Sequence, residues 1–147
     1  MLDLLLERYA LRYASAVARE LREEFPSGRA FWERVRAGEL AEAVVGTEVV
    51  REFGPGERAA INLALEHRDE GWVLLLDDQR PFREAAERGL RVVCSPVLVV
   101  ALHAEGRLDA QRALASLARL AALGTVSPHL LAAALAQIAA QTVEGGR

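Results

Sequence analysis

Hydrophobic positions along the chain form two kinds of pattern, short continuous runs and helically spaced sets, and from the middle onward the two alternate. Trp72 to Leu76 (WVLLL) is a continuous apolar run ending in Asp77 and Asp78. That is the pattern of a strand buried on both faces whose last residues emerge at the carboxyl edge of a sheet. Arg91 to Cys94 (RVVC) predicts a second strand. Pro81 to Gly89 (PFREAAERG) lies between them and predicts a helix, with proline near its first turn and glycine at its end. A strand, a helix and a strand in this order make a β-α-β unit, so the expected class is α/β with a parallel sheet.

Upstream, Gly56 to Glu70 spaces Ala59, Ala60, Leu63, Ala64 and His67 helically, with Glu57 in the first turn where a carboxylate suits the positive helix end. Ser15 to Phe25 predicts a helix with Ser15 as N-cap and Val17, Leu21 and Phe25 on one face, preceded by a short strand near Tyr9 to Tyr13. Pro26, Ser27 and Gly28 then interrupt, and Arg29 to Gly38 resumes as a helix. Ala43 to Val50 reads as a strand weakened by Gly46. The last third differs. Asp109 to Leu123 and Ser127 to Gln141 are alanine- and leucine-rich helices separated by GTVSP, a predicted hairpin, and the tail VEGGR is expected to fray.

Composition narrows the function classes. With 147 residues, 52% hydrophobic, the length suits one domain. The net charge of −3 gives no global field for nucleic acid or an anionic membrane, although a local patch can supply one. Cys94 is the single cysteine, which excludes an internal disulfide framework and fits a reducing cytoplasm. The opening MLDLLLERYALRY lacks the basic start of a signal peptide. Val92 to Leu102, the longest apolar stretch, is too short to span a bilayer.

The candidate chemical residues are acids at element ends: Glu20, Glu57, Asp77 and Asp78. Ligands bind at strand ends of open parallel sheets, and an Asp-Asp pair there would be relieved of mutual repulsion by a divalent cation with oxygen ligands. The plain structural alternative is that one Asp caps the helix near Pro81 while its neighbour is solvated. For Glu20 the alternative is a solvated carboxylate paired with Arg19 or Arg22, and for Glu57 a carboxylate that merely stabilises its helix end. His67, His103 and His129 are scattered, which argues against zinc. Cys94 reads as core. GPGE suggests a phosphate loop, but the chain has no lysine, so a P-loop is discarded.

In order, GERAAI followed by LALE, then LLLDDQRPFREAAERGLRVV and SPVLVVALHAEGRLD, resemble the PIN domain superfamily, in its nuclease and toxin branch. SAVARELREE upstream and SPHLLAAALAQI downstream extend the resemblance over most of the chain. It implies a three-layer α/β/α fold with a parallel sheet over residues 1–108, and a C-terminal helical hairpin, 109–147, packed on the same domain. It also implies a ribonuclease whose carboxylates hold Mg²⁺ or Mn²⁺ against a phosphodiester. Glu20 matches the family's acid in the second helix, Glu57 the acid of the GE motif, and Asp77 or Asp78 the acid after the fourth strand. Family members open with an apolar strand ending in Asp, then a helix. Here MLDLLLERY is similar to the segment beyond that helix, so the N-terminal strand and its acid are expected to be missing.

The resemblance supports two readings: a metal-dependent, toxin-type endoribonuclease restrained by an antitoxin-type protein, or a catalytically inactive PIN-like module that binds nucleic acid or protein. A third is an α/β interaction domain in which Asp77 and Asp78 only cap a helix. The first reading requires Glu20, Glu57 and at least one of Asp77 and Asp78 to converge at the carboxyl edge of the sheet. It also requires a basic rim, with Arg19, Arg22, Arg58, Arg80 and Arg83 as the candidates for RNA phosphates. A sheet without its middle strand exposes unpaired edges, so a homo-oligomer is expected as well.

Overall fold

In the computed structural model, which describes residues 2–145, the chain opens with α1 (Leu2–Leu6), a single turn that buries Leu5. β1 (Arg12–Ala14) comes next, then α2 (Ser15–Glu20), α3 (Pro26–Arg36) and β2 (Ala41–Ala43). β1 and β2 run parallel, with Tyr13 opposite Glu42 and Ala14 opposite Ala43. A parallel pair needs a crossover, and α2 and α3 supply it.

α2 is shorter than the expected Ser15 to Phe25. Ser15 does not cap it; Ala14 holds the N-cap position, and the Ser15 hydroxyl donates to Glu42 instead. The chain leaves the helix at Leu21, whose backbone is extended and whose carbonyl accepts the Trp32 indole N–H at 2.7 Å. Pro26, Ser27 and Gly28 do not interrupt; they are the first turn of α3, with proline at its start. Gly28 is required by close approach, since a Cβ there would lie 2.0 Å from the Arg22 carbonyl oxygen.

α4 (Pro55–Glu66) packs on α2 and β1 and buries Ile61, Asn62, Leu63 and Ala64. The strand expected over Ala43 to Val50 ends at Ala43. Beyond it the backbone groups pair with side chains of α4 rather than with a neighbouring strand. Asn62, only 1% exposed, accepts the N–H groups of Val49 and Val50 at 2.9 and 2.8 Å and donates to the Val50 carbonyl at 2.8 Å. Glu66 accepts the Thr47 N–H. The buried backbone of Val50 needs partners, and Asn62 supplies them without a ladder, while Glu66 serves the exposed Thr47. After α4 a 3₁₀ turn (Arg68–Glu70) leads to Gly71.

Leu74 closes one compact unit and Leu75 opens a second. β3 (Leu74–Leu75) pairs with β4 (Val92–Val93), and the Leu76 N–H donates to the Val93 carbonyl at 3.0 Å. The run WVLLL is not buried on both faces. Leu74 and Leu76 are buried while Val73 is 53% and Leu75 45% exposed, so the strand alternates. α5 (Gln79–Glu87) joins the two strands and ends at Gly89, whose φ of 76° is the left-handed stop that glycine favours. Cys94, read as a strand residue, occupies the N-cap of the next helix and is buried there.

α6 (Ser95–Ala104), α7 (Ala110–Leu123) and α8 (Pro128–Gly145) pack on one another. Their seam is readable: Ala113, Leu117 and Leu120 from α7, and Leu131, Ala134 and Ile138 from α8, are buried at spacings of three and four. Each fully buried leucine or isoleucine contributes roughly 1.5–3 kcal/mol. The expected hairpin is therefore part of a three-helix cluster. Of the tail VEGGR, Gly145 still belongs to α8, and Gly146 and Arg147 lie outside the described residues. No described helix is long and apolar enough to cross a membrane.

Candidate active site

In the first unit the site is built on the N-terminus of α4. Gly54 occupies the N-cap position, Pro55 and Gly56 open the helix, and Glu57 is the third residue in. Glu57 folds back to accept the Gly54 N–H at 2.9 Å, which satisfies a donor the helix leaves unpaired. The chain enters this turn through Phe53, whose φ of 75° is uncommon for a residue with a side chain. Glu20, the last residue of α2, reaches the same helix end and accepts the Gly56 N–H at 2.9 Å.

Gly56 makes that approach possible. A Cβ at this position would stand 2.6 and 2.8 Å from the two Glu20 carboxylate oxygens. Glu20 and Glu57 are thus brought to one helix end, where two negative charges repel each other and the partial positive charge of the exposed N–H groups offsets the repulsion. Each uses one oxygen for its N–H bond, Oε1 for Glu20 and Oε2 for Glu57.

The second unit holds the other two acids, each with a different partner. Asp77 lies just after β3 and spans to the start of α6. Its Oδ1 accepts the Ser95 N–H at 2.6 Å and its Oδ2 accepts the Ser95 hydroxyl at 2.7 Å. Cys94 has no side chain able to cap α6, so Asp77 performs the capping from 18 residues away in sequence. Asp78 is the N-cap of α5 and accepts the Arg80 N–H at 3.1 Å. One of the two aspartates does cap the helix before Pro81, as the plain structural alternative held. The other is not merely solvated.

All four candidate acids therefore meet N–H groups at the starts of helices. Among the described residues, neither unit on its own gathers three or more His, Cys, Asp or Glu side chains that could hold a metal ion. Of the arginines expected at a basic rim, Arg22 pairs with Glu24 at 2.6 Å and Arg58 with Glu48 at 2.9 Å. Arg19, Arg80 and Arg83 are exposed. Two of the three histidines have structural partners: His67 stacks on Trp72 with ring centroids 3.9 Å apart, and the His103 Nδ1–H donates to the Leu108 carbonyl.

Sequence reasoning missed three residues that shape these sites: Gly56, Ser95 and Asn62. Asn62 carried a signal, being the one asparagine in the chain and a polar residue inside the apolar run AAINLAL. Gly56 stood out only within GPGE and GERAAI, and nothing local signalled the bonds that Gly56 and Ser95 make, because their partners lie 36 and 18 residues away.

A family profile with the description DUF3368: PIN domain matches residues 1–140. No curated protein matches the chain, and no solved structure does.

Proposed function

Because the chain belongs to the PIN domain family over residues 1–140, we propose that it is a metal-dependent ribonuclease with Glu20, Glu57, Asp77 and Asp78 as its acidic residues. The observation that carries this reading is the meeting of Glu20 and Glu57 at the N-terminus of α4. A lone structural cap needs one carboxylate; this helix end has two, one of them brought from α2.

The donor set suits a hard cation. All four side chains are carboxylates, and Mg²⁺ is commonly held by one or two carboxylates together with substrate phosphate and water. Glu20 and Glu57 would hold such an ion in the first unit through the oxygens not engaged by Gly56 and Gly54. When bound, Mg²⁺ or Mn²⁺ supplies positive charge against the phosphodiester and acidifies water. The chain's own residues do the positioning. The Gly56 and Gly54 N–H groups orient the two glutamates, Ser95 fixes Asp77, and Arg80 fixes Asp78 through its backbone. Arg19, Arg80 and Arg83, all exposed, would meet phosphates, and Arg22 and Arg58 would do so in exchange for their glutamate partners.

The test is hydrolysis of a single-stranded RNA in Mn²⁺, comparing the wild-type chain with Glu20→Gln and Glu57→Gln. Each variant is expected to lose about a hundredfold or more of the rate, since loss of a supporting carboxylate already costs roughly 10- to 100-fold at metal sites. Mn²⁺ should raise the thermal midpoint of the wild type and raise it less in either variant. Full activity in Glu20→Gln would overturn the reading.

A specific observation also favours the second reading, a PIN domain that binds RNA without cutting it. Both Asp77 oxygens are engaged by Ser95, which leaves this aspartate built as a structural clamp. RNA binding unaffected by Mn²⁺ and without hydrolysis would select it.

A further inference from the structure

A cavity of about 260 Å³ opens beside α2, lined by Tyr13, Ser15, Ala18, Arg19, Trp32 and Glu42. Tyr13 and Glu42 are register partners on β1 and β2, so their side chains leave the sheet on the same face. Trp32 comes from α3, its indole fixed by the N–H bond to the Leu21 carbonyl. Phe31 links the two aromatic walls, 5.0 Å from Tyr13 and 5.4 Å from Trp32 between ring centroids, both edge to face. Ala18, buried and small, leaves the space open. The Ser15 hydroxyl donates to Glu42 Oε1 and so orients the carboxylate, leaving Oε2 and one lone pair of Oε1.

We infer that this cavity is a subsite for a guanine base of a bound RNA strand. It deepens the RNA-processing reading and rests on it. The volume suits one planar heterocycle, and fixed aromatic walls are what an unstacked base packs against. Glu42 decides which base. A carboxylate only accepts hydrogen bonds, and guanine presents two adjacent donors, N1–H and the N2 amino group, to its two oxygens. Adenine and cytosine each set a ring acceptor beside their amino group, and uracil flanks its single N–H with two carbonyls, so each of these turns a lone pair toward the carboxylate. Arg19, exposed and next to Glu20 in sequence, is placed to meet the phosphate of the same nucleotide.

Calorimetric titration of the full chain with 5′-GMP, AMP, CMP and UMP, without divalent metal, tests the inference. GMP should bind about tenfold or more tightly than the others. Glu42→Gln should bring it down to their level. Arg19→Ala, at an exposed position, should weaken all four alike and keep the preference for guanine. Equal affinities in the wild type, or a preference that survives Glu42→Gln, would overturn the subsite. A short oligouridine carrying one guanosine should bind at least as well as GMP, and binding of the mononucleotide alone would reassign the cavity to a free guanine nucleotide. Because these titrations need no cleavage, a guanine preference without hydrolysis sinks only the ribonuclease reading, and hydrolysis without base preference sinks only the subsite.

Discussion

The two units stabilise themselves by different means. In the second, the ends of α5 and α7 are set by neighbours in sequence: Asp78 caps α5 by accepting from Arg80, Asp109 caps α7 by accepting from Arg112 at 2.7 Å, and Gly89 and Gly124 stop the same two helices. In the first, the decisive bonds run between distant residues: Glu20 to Gly56, Asn62 to Val49 and Val50, Glu66 to Thr47, and Trp32 to the Leu21 carbonyl. Local caps make a helix start where it starts and do little else. Long-range side-chain bonds hold irregular backbone in place, and one of them fixes the candidate acid Glu20 against the start of α4. Asp77 is the exception in the second unit, a long-range clamp among local ones, and it too is a candidate acid.

The sharpest way to break this contrast is Asn62→Ala. The change removes three hydrogen bonds and leaves the Val50 N–H and carbonyl unpaired beside a fully buried Val50 side chain. The expected cost is about 3 kcal/mol, above the usual range for a single bond because buried donors and acceptors are orphaned. Tryptophan fluorescence during urea unfolding reads this effect in the first unit, since Trp32 and Trp72 both belong to it. A midpoint unmoved by the change would show that the 44–54 segment does not depend on the clamp.

Asp77→Ala comes next, at about 2 kcal/mol, because it strips both bonds from buried Ser95 at the start of α6. Asp77→Asn should cost less, since its amide oxygen still accepts one of them. Far-UV circular dichroism during thermal unfolding tracks the loss through the helices. If Asp77→Asn leaves stability unchanged yet abolishes RNA hydrolysis, the aspartate acts as a metal ligand and its capping is incidental.

How far the sequence could be read obeys the same division. Pro81 with Gly89 bounded α5, Asp109 capped α7 as the start of its predicted helix, and Ser127-Pro128 marked the start of α8, because those signals act within a turn of the residues they govern. The helix expected over Ser15 to Phe25 failed at Leu21, where the chain turns to meet Trp32 from another helix. The strand expected over Ala43 to Val50 failed because its apolar residues fit a strand equally well, and only Asn62 and Glu66, many residues on, show that its N–H groups are already taken. Of the candidate site, the sequence could name the four acids only as candidates, and it did not show the groups to which they bond. Glu57 and Asp78 sit where their local sequence puts them. Glu20 and Asp77 do so only through Gly56 and Ser95.

Asp109→Ala tests the local side of the contrast. It removes one exposed cap bond and should cost about 1 kcal/mol. That is a third of the Asn62→Ala effect, although both residues hold backbone N–H groups. Equal losses would mean that burial, not range, has been misjudged as the source of the difference.

The smallest effect is expected at Glu66, and its pH dependence gives it away. N–H groups of Gly46 and then Thr47 hold its carboxyl below the usual carboxylate range. A carboxyl whose value is lowered on folding contributes stability above its ordinary value, and that contribution is lost as pH falls through the lowered one. The side chain is open to solvent, so the contribution is small. Glu66→Gln should therefore unfold slightly earlier than the wild type at neutral pH, with the gap narrowing as the solution is acidified below the ordinary carboxylate range. Fluorescence-monitored urea midpoints at a series of pH values would show it. A gap that stays constant down to acid pH would mean that the charge on Glu66 does not hold the 44–50 segment, leaving that task to Asn62 alone.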